Sequence, residues 1–143
     1  MSNLVEMDGA CDCRAVRFRV KLLEGLEFPR RCNCSLCRMR GAVVVSARYG
    51  DIEIVEGHDK LSLYQFNTGV AEHQFCSVCG IYTHHRRRSN PDEISVNVAC
   101  FKDVSPFDFP EVPVMEGVVH VNDRTVGYQA AGFLRYVANK SSD

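Results

Sequence analysis

Residues 32–37 read Cys-Asn-Cys-Ser-Leu-Cys, three thiols inside six positions. Thiols this close together suit a soft, multivalent cation. Zinc is the first choice, because thiolates bind it well and it carries no redox chemistry of its own. Three ligands from Cys32, Cys34 and Cys37 leave one tetrahedral corner open to a substrate. Two further pairs, Cys11-x-Cys13 and Cys76-x-x-Cys79, supply four more thiols, the closed set of a structural zinc. Adding Cys76 and Cys79 to the central cluster instead would crowd five thiols onto one site and leave two over. The count therefore favours four plus three, with two zinc ions as the cofactors. One ion would join an N-terminal arm to a late hairpin, so its binding free energy becomes folding free energy.

The rival uses of cysteine are disulfides, redox pairs and iron–sulfur ligation. Seven of the eight cysteines are clustered, whereas disulfides gain most by closing long loops. Met1 to Met7 lacks the apolar run of an export signal, and Ala42 to Val45 is far too short to span a membrane. A soluble, cytoplasmic protein with reduced thiols is expected. A redox Cys-x-x-Cys normally opens a helix; Cys76 and Cys79 lie between two expected strands. For Cys11 and Cys13 the plain alternative is two incidental buried thiols. Cys100 has no partner cysteine and reads as a buried core thiol.

The net charge of -1 and a pI near 6.5 give no global pull toward nucleic acid or an acidic membrane. Arg86-Arg87-Arg88 accordingly reads as a solvated loop before a turn rather than a polyanion contact. Arg38 and Arg40 flank the central cluster, where they would pair with a substrate carboxylate, offset thiolate charge, or simply sit in water. Asn33 and Ser35 would hydrogen-bond to sulfur or serve only the turn. His84 and His85 are adjacent on an expected strand, so at most one faces a given site. His58, His73 and His120 have no informative context.

The elements that must position these groups are mostly strands. Ala15 to Leu22 alternates apolar and charged residues. Gly41 to Arg48 is β-branched and reads as a strand covered on both faces. Tyr49-Gly50-Asp51 is a turn signal. Ile52 to Gly57 and Leu61 to Phe66 alternate again, and His58-Asp59-Lys60 between them predicts a hairpin or meander. Ala71 to Phe75 leads into the Cys76–Cys79 turn, and Ile81 to His85 leads out. Asn90-Pro91-Asp92 is a turn before the strand Ile94 to Val98. Val104 to Pro113, with three prolines, reads as an extended crossing segment rather than a ladder strand. Val118 to Val121 predicts a short strand, Phe133 to Ala138 a frayed helical turn, and Lys140 to Asp143 a disordered end. No long amphipathic helix is expected. The class is mainly β, in small antiparallel sheets fastened by zinc, as one domain over 1–143.

Taken in order, Gly9-Ala10-Cys11-Asp12-Cys13, Val16-Arg17-Phe18, Cys32-x-Cys34-Ser35-Leu36-Cys37-Arg38 and Phe75-Cys76-x-x-Cys79-Gly80 resemble the glutathione-dependent formaldehyde-activating enzyme family. That family shares its domain with centromere protein V. The likeness runs from about Gly9 to about Val121, leaving 122–143 as a C-terminal extension. It implies a zinc-fastened β-tent fold. It also implies a structural zinc on Cys11, Cys13, Cys76 and Cys79, and a catalytic zinc on Cys32, Cys34 and Cys37. The sequence departs from the family's usual glycine at Arg14 and its usual histidine at Asn33; neither change removes a ligand.

The implied activity is that of a carbon–sulfur lyase or synthase. A thiol such as glutathione condenses with formaldehyde, or another aldehyde, to an S-hydroxymethyl adduct, or the adduct is cleaved. Three thiolates around one divalent cation leave a formal charge of about -1, which suits a substrate thiol as the fourth ligand. Two other readings stand beside it. One is a related lyase acting on a different thiol. The other is a non-catalytic zinc-held scaffold that binds protein or nucleic acid. The partners expected are a small thiol and an aldehyde, with no membrane and with a homo-oligomer left open.

Overall fold

The computed structural model describes residues 4–118 and 129–139. The strands are β1 (Val5–Ala10), β2 (Arg17–Leu22), β3 (Arg31–Cys32), β4 (Val44–Glu56), β5 (Leu61–Tyr64), β6 (Glu72–Cys76), β7 (Tyr82–Arg86), β8 (Glu93–Asn97), β9 (Glu111–Met115) and β10 (Ala130–Arg135). One short helix, α1 (Ser35–Arg40), follows β3. The fold is mainly β, as expected. Seven strands form one antiparallel sheet in the order β1-β2-β4-β8-β7-β6-β5. A second sheet has the order β10-β9-β3, with β9 and β10 antiparallel and β3 parallel to β9. Among the described residues no helix is long and apolar enough to cross a membrane.

The alternation in β2 decides its packing. Phe18, Val20 and Leu22 are buried while Arg17, Arg19 and Lys21 face out. They meet Val45, Ala47, Ile94, Val96, Val98 and Phe101 in one apolar cluster. Phe18 and Phe101 pack edge to face with ring centres 6.2 Å apart. Burial of each such side chain contributes about 1.5–3 kcal/mol, enough to hold the sheet's register.

Five strand positions separate β1 from β6, about 24 Å in a flat sheet. Yet Cys13 Sγ, just past β1, lies 3.7 Å from Cys76 Sγ at the end of β6. The sheet is therefore strongly curled, and the four thiols sit where the curl closes.

Several expected boundaries differ. Tyr49-Gly50-Asp51 is not a turn but part of β4. Leu22 pairs with Ala47 and Val20 with Ile52, so the extra residues bulge out of one continuous strand. The Tyr49 amide donates to the Asp92 carbonyl at 2.9 Å, which holds the bulge against the start of β8. The hairpin expected between β4 and β5 does not form, for these strands lie at separate places in the sheet. Gly57 has φ 81°, and a Cβ there would sit 1.8 Å from the Ala15 carbonyl oxygen. The chain crosses that backbone, makes a 3-10 turn over His58–Lys60, and pairs β5 with β6 instead.

The C-terminal expectations also shift. Part of the proline-rich segment is a ladder strand: Pro113 lies in β9, opposite Phe133. The parallel pairing of β9 with β3 begins only at Val114, so Pro113 faces a ladder on one side alone. Of the helical turn expected over Phe133 to Ala138, Phe133 to Arg135 lie instead in β10 and the rest is irregular. Phe133, Leu134 and Arg135 each find a partner on β9, and that ladder outweighs a weak local helical preference. Val118 forms a bend; 119–121 of the strand expected there, and all of Lys140 to Asp143, lie outside the described residues.

Candidate metal centres and the cavity beside them

Cys11 and Cys13 lie just beyond β1, and Cys76 and Cys79 sit in the turn between β6 and β7. Their four sulfurs lie within 4.8 Å of one another. The Cys11–Cys13 and Cys13–Cys76 sulfur separations are both 3.7 Å. A tetrahedron with metal–sulfur bonds of about 2.3 Å has edges of about 3.8 Å, so the donor set fits a zinc-sized ion. Amides of Val16 and Val78 point at Cys11 Sγ and Cys76 Sγ, each at 3.3 Å. Gly80 takes φ 80° while its amide closes the turn onto the Cys76 carbonyl at 2.8 Å. Burial works against ionising Cys79, but amide and thiol hydrogen bonds outweigh it and bring that thiol down to about 6.

The second cluster is built differently. Cys34 caps α1 with φ -64° and ψ 167°, and its sulfur accepts from the Cys37 amide at 3.4 Å. Gly41 ends the helix with φ 72° and donates to the Cys37 carbonyl. Cys34-x-x-Cys37 is thus one turn of helix. Cys32 arrives from β3, whose partner β9 fixes the loop: the Asn33 amide donates to the Met115 carbonyl at 3.2 Å, and the Asn33 side chain accepts from the Gly117 amide at 2.7 Å. Asn33 therefore ties the cluster to the strand beneath it. The three sulfurs fall within the same 4.8 Å limit and are only half-buried. Hydrogen bonds from Cys32 and Cys37 pull the Cys34 thiol down to about 2, while the same contacts push Cys37 up. A three-sulfur set with an accessible side fits a metal ion that keeps an exchangeable position.

This cluster opens into a cavity of about 750 Å³. A run of rings also lines it. Phe66 stacks on His73 at 5.8 Å, and His73 stacks on His85 at 4.7 Å. Tyr82 Oη lies 2.6 Å from His85 Nδ1. Arg40 Nη2 is 3.0 Å from His73 Nδ1. A guanidinium only donates, so His73 Nδ1 accepts and the ring's own proton sits on Nε2. Arg40 also covers the Tyr82 ring at 3.8 Å, and its Nη1 is buried with no hydrogen-bond partner. Burial, then the Arg40 charge, lowers His73 to about 4. Burial and the nearby His73, Arg40, Arg30 and Arg87 hold His85 well below the usual imidazole range. A second cavity of about 760 Å³ shares Arg40, His73 and Tyr82 but is lined by no thiol.

The sequence candidates separate clearly. His85 lines the thiol cavity. His84 points into the core, 6.4 Å from the Phe18 ring centre and 2.9 Å from Thr83 Oγ1. Arg38 is exposed at the rim, whereas Arg40 is drawn inward and is not a solvated side chain. The arginine triplet is not a solvated loop. Arg86 lies in β7, where it pairs with Glu72 and covers the Tyr49 ring. Arg87 pairs with Glu93, and Arg87 and Arg88 both line the cavity. Cys100 is the expected buried thiol, pushed up to about 12 by burial. Ser35 and His58 are exposed, and His120 lies outside the described residues. Sequence reasoning passed over His73, Tyr82 and Gly117. A usable signal existed for His73: folding the chain about the Cys76–Cys79 turn brings it opposite His85.

Comparison with known proteins follows the same outline. A family model described as glutathione-dependent formaldehyde-activating enzyme matches residues 6–115. A crystal structure of a Rhodobacter sphaeroides protein is 54% identical, with a TM-score of 0.74, covering 76% of this chain and 99% of that one. A Halomonas elongata protein named "Putative glutathione-dependent formaldehyde-activating enzyme" is 36% identical over 81 residues. The match takes in 51% of each, so the chain spans about half the length of that curated relative.

Proposed function

Because this chain belongs to the glutathione-dependent formaldehyde-activating enzyme family, we propose that it joins a thiol such as glutathione to formaldehyde or another aldehyde, or cleaves the resulting S-hydroxymethyl adduct. The observation that carries this reading is the half-buried cluster of Cys32, Cys34 and Cys37 facing a cavity of about 750 Å³. Cys11, Cys13, Cys76 and Cys79 would hold a structural zinc, and Cys32, Cys34 and Cys37 a catalytic one. Zinc bound there supplies the charge that makes a substrate thiol ionise near neutral pH.

The remaining work falls to the chain. Sulfur–carbon bond formation breaks the aldehyde π bond and moves one proton from the thiol to the new hydroxyl. His73 is a donor for that oxygen, since Arg40 occupies its Nδ1 and leaves the proton on Nε2. The Phe66–His73–His85 stack walls one side of the cavity and orients the reactants while limiting water. The test is a rate measurement. Zinc-loaded protein is expected to accelerate adduct formation above the spontaneous reaction, and Cys34→Ser to remove that gain while leaving the Cys11–Cys79 site loaded. A wild-type rate equal to the uncatalysed one, across several thiols and aldehydes, refutes the proposal.

A further inference from the structure

β10 is the outermost strand of the small sheet, with β9 on one side and, among the described residues, no strand on the other. Neighbouring side chains on a strand point to opposite faces, and on β10 both faces are apolar and open. Phe133 is 62% exposed and Leu134 47%; just past the strand, Tyr136 and Val137 are 47% and 77% exposed. Tyr136 rests on Phe107, another exposed ring, with centres 5.0 Å apart, which widens the patch. Edge strands are ordinarily blunted by lysine, proline or a very short length. β10 has neither residue over its six positions. Its one charge, Arg135, is held by Glu111 across the ladder at 2.9 Å, so two such edges do not meet as bare cations.

The ladder with β9 shows which backbone groups lie open. The Tyr136 amide donates to the Pro110 carbonyl at 2.9 Å. Leu134 pairs with Val112, and Phe133 with Pro113, which has no N–H. Antiparallel strands alternate residues that bond to one neighbour with residues that bond to the other. Gly132, Leu134 and Tyr136 therefore turn their backbone groups to β9, and Phe133 and Arg135 turn theirs outward.

We propose that β10 pairs antiparallel with β10 of a second copy of this chain, about a two-fold axis at Leu134. In that register Phe133 opposes the partner's Arg135, Arg135 opposes the partner's Phe133, and their outward groups close the ladder. Each guanidinium then lies beside an aromatic ring. Tyr136 covers the partner's Gly132, which has no side chain of its own to offer, and Leu134 meets its own image. A slip by one residue sets outward groups against inward ones. A slip by two brings Arg135 against the partner's Arg135 in one direction, and against the partner's Ala131 in the other. Two-fold pairing uses up the edge, so assembly stops at two copies. The joined sheet runs β3-β9-β10 in each half, which leaves the two Cys32 strands at its far ends.

The test is sedimentation of the zinc-loaded full chain over a concentration series reaching about 1 mM. The mass is expected to rise from 16.1 kDa to twice that value. Leu134→Lys sets a cation against its own image and is expected to weaken the dimer about tenfold or more. Phe133→Lys and Phe133→Glu lose the same ring but offer the partner's Arg135 opposite charges. The contact occurs twice across the axis, so the Glu variant is expected to associate about tenfold more tightly than the Lys variant, with the gap closing as salt is added. Melting temperature and zinc content check that each variant folds; should Leu134→Lys fold poorly, the Phe133 pair decides. A monomer at every concentration overturns the proposal. So do masses that grow past two copies, a dimer indifferent to Leu134→Lys, or equal association of the two Phe133 variants. None of these readouts involves turnover, so the proposed chemistry stands or falls separately.

Discussion

Gly117 is predicted to be a packing requirement of the three-thiol centre. A Cβ at this position would lie 2.6 Å from Cys32 Sγ, 3.0 Å from Cys34 Cβ and 3.3 Å from the Cys34 amide nitrogen. Atoms in ordinary contact stay about 3.5 Å apart or more, so Gly117→Ala forces a shift of nearly 1 Å. Neither side yields easily. Cys32 has one short rotor, and the Cys34 backbone opens α1. On the Gly117 side, its amide is tied to the Asn33 side chain at 2.7 Å. Overpacking of this kind costs about 1–3 kcal/mol. If that strain appears when the sulfurs converge on a metal, it weakens affinity by about 5- to 150-fold, at 1.4 kcal/mol per tenfold. The four-thiol centre has no part in this contact and should keep its ion. Competition with a chromophoric chelator, followed by metal analysis, should therefore show two classes of zinc in the variant. One would have unchanged affinity and the other would be lost early, with the melting temperature near that of the parent. Retention of both ions at parental affinity, or loss of both together, would refute the reasoning.

Two further expectations concern stability. Arg14 adopts φ 65° in the Cys11–Cys13 loop, a conformation that costs a non-glycine residue about 1–2 kcal/mol. Arg14→Gly should therefore stabilise the folded protein by about 1 kcal/mol, once glycine's greater unfolded-state entropy is set against the relief; denaturant unfolding at pH 7 measures it. His84 is buried and lowered from 6.5 to about 4 by that burial. Its folded state thus resists protonation, so the stability it contributes is complete above pH 6.5 and drains away as the pH falls toward 4. The loss should reach roughly 3 kcal/mol over that window. Comparing wild type with His84→Gln at pH 7 and pH 4.5 isolates it from any acid release of metal. An identical pH dependence in the two proteins would contradict the assignment.

Much of the cysteine chemistry was legible in the sequence because it is local. Cys32, Cys34 and Cys37 are close along the chain, and one helical turn with a two-residue strand is enough to converge them. The alternation of β2 was equally plain, since a strand half-buried on one face must write its burial into every second residue; β8 alternates in sequence, yet Ser95 and Asn97 are buried along with Ile94 and Val96. The Tyr49-Gly50-Asp51 signal misled for a physical reason: turn residues also suit a bulge, and only the pairing of Ala47 and Ile52 with β2 tells the two apart. The arginine triplet misled because composition counts charge but does not say where it is. Glu72 and Glu93 answer Arg86 and Arg87 from other strands.

The chain by itself determined the three cysteine clusters, the mainly β class and the alternating strands, because each follows from neighbours along the backbone. Tertiary structure alone decided that the sheet curls until Cys13 meets Cys76, and that Gly117 leaves room for Cys32. It alone gathered His73, Tyr82 and His85 with six arginines around one cavity. Those relations join residues tens of positions apart, and their energies come from packing and electrostatics across strands that no local pattern encodes.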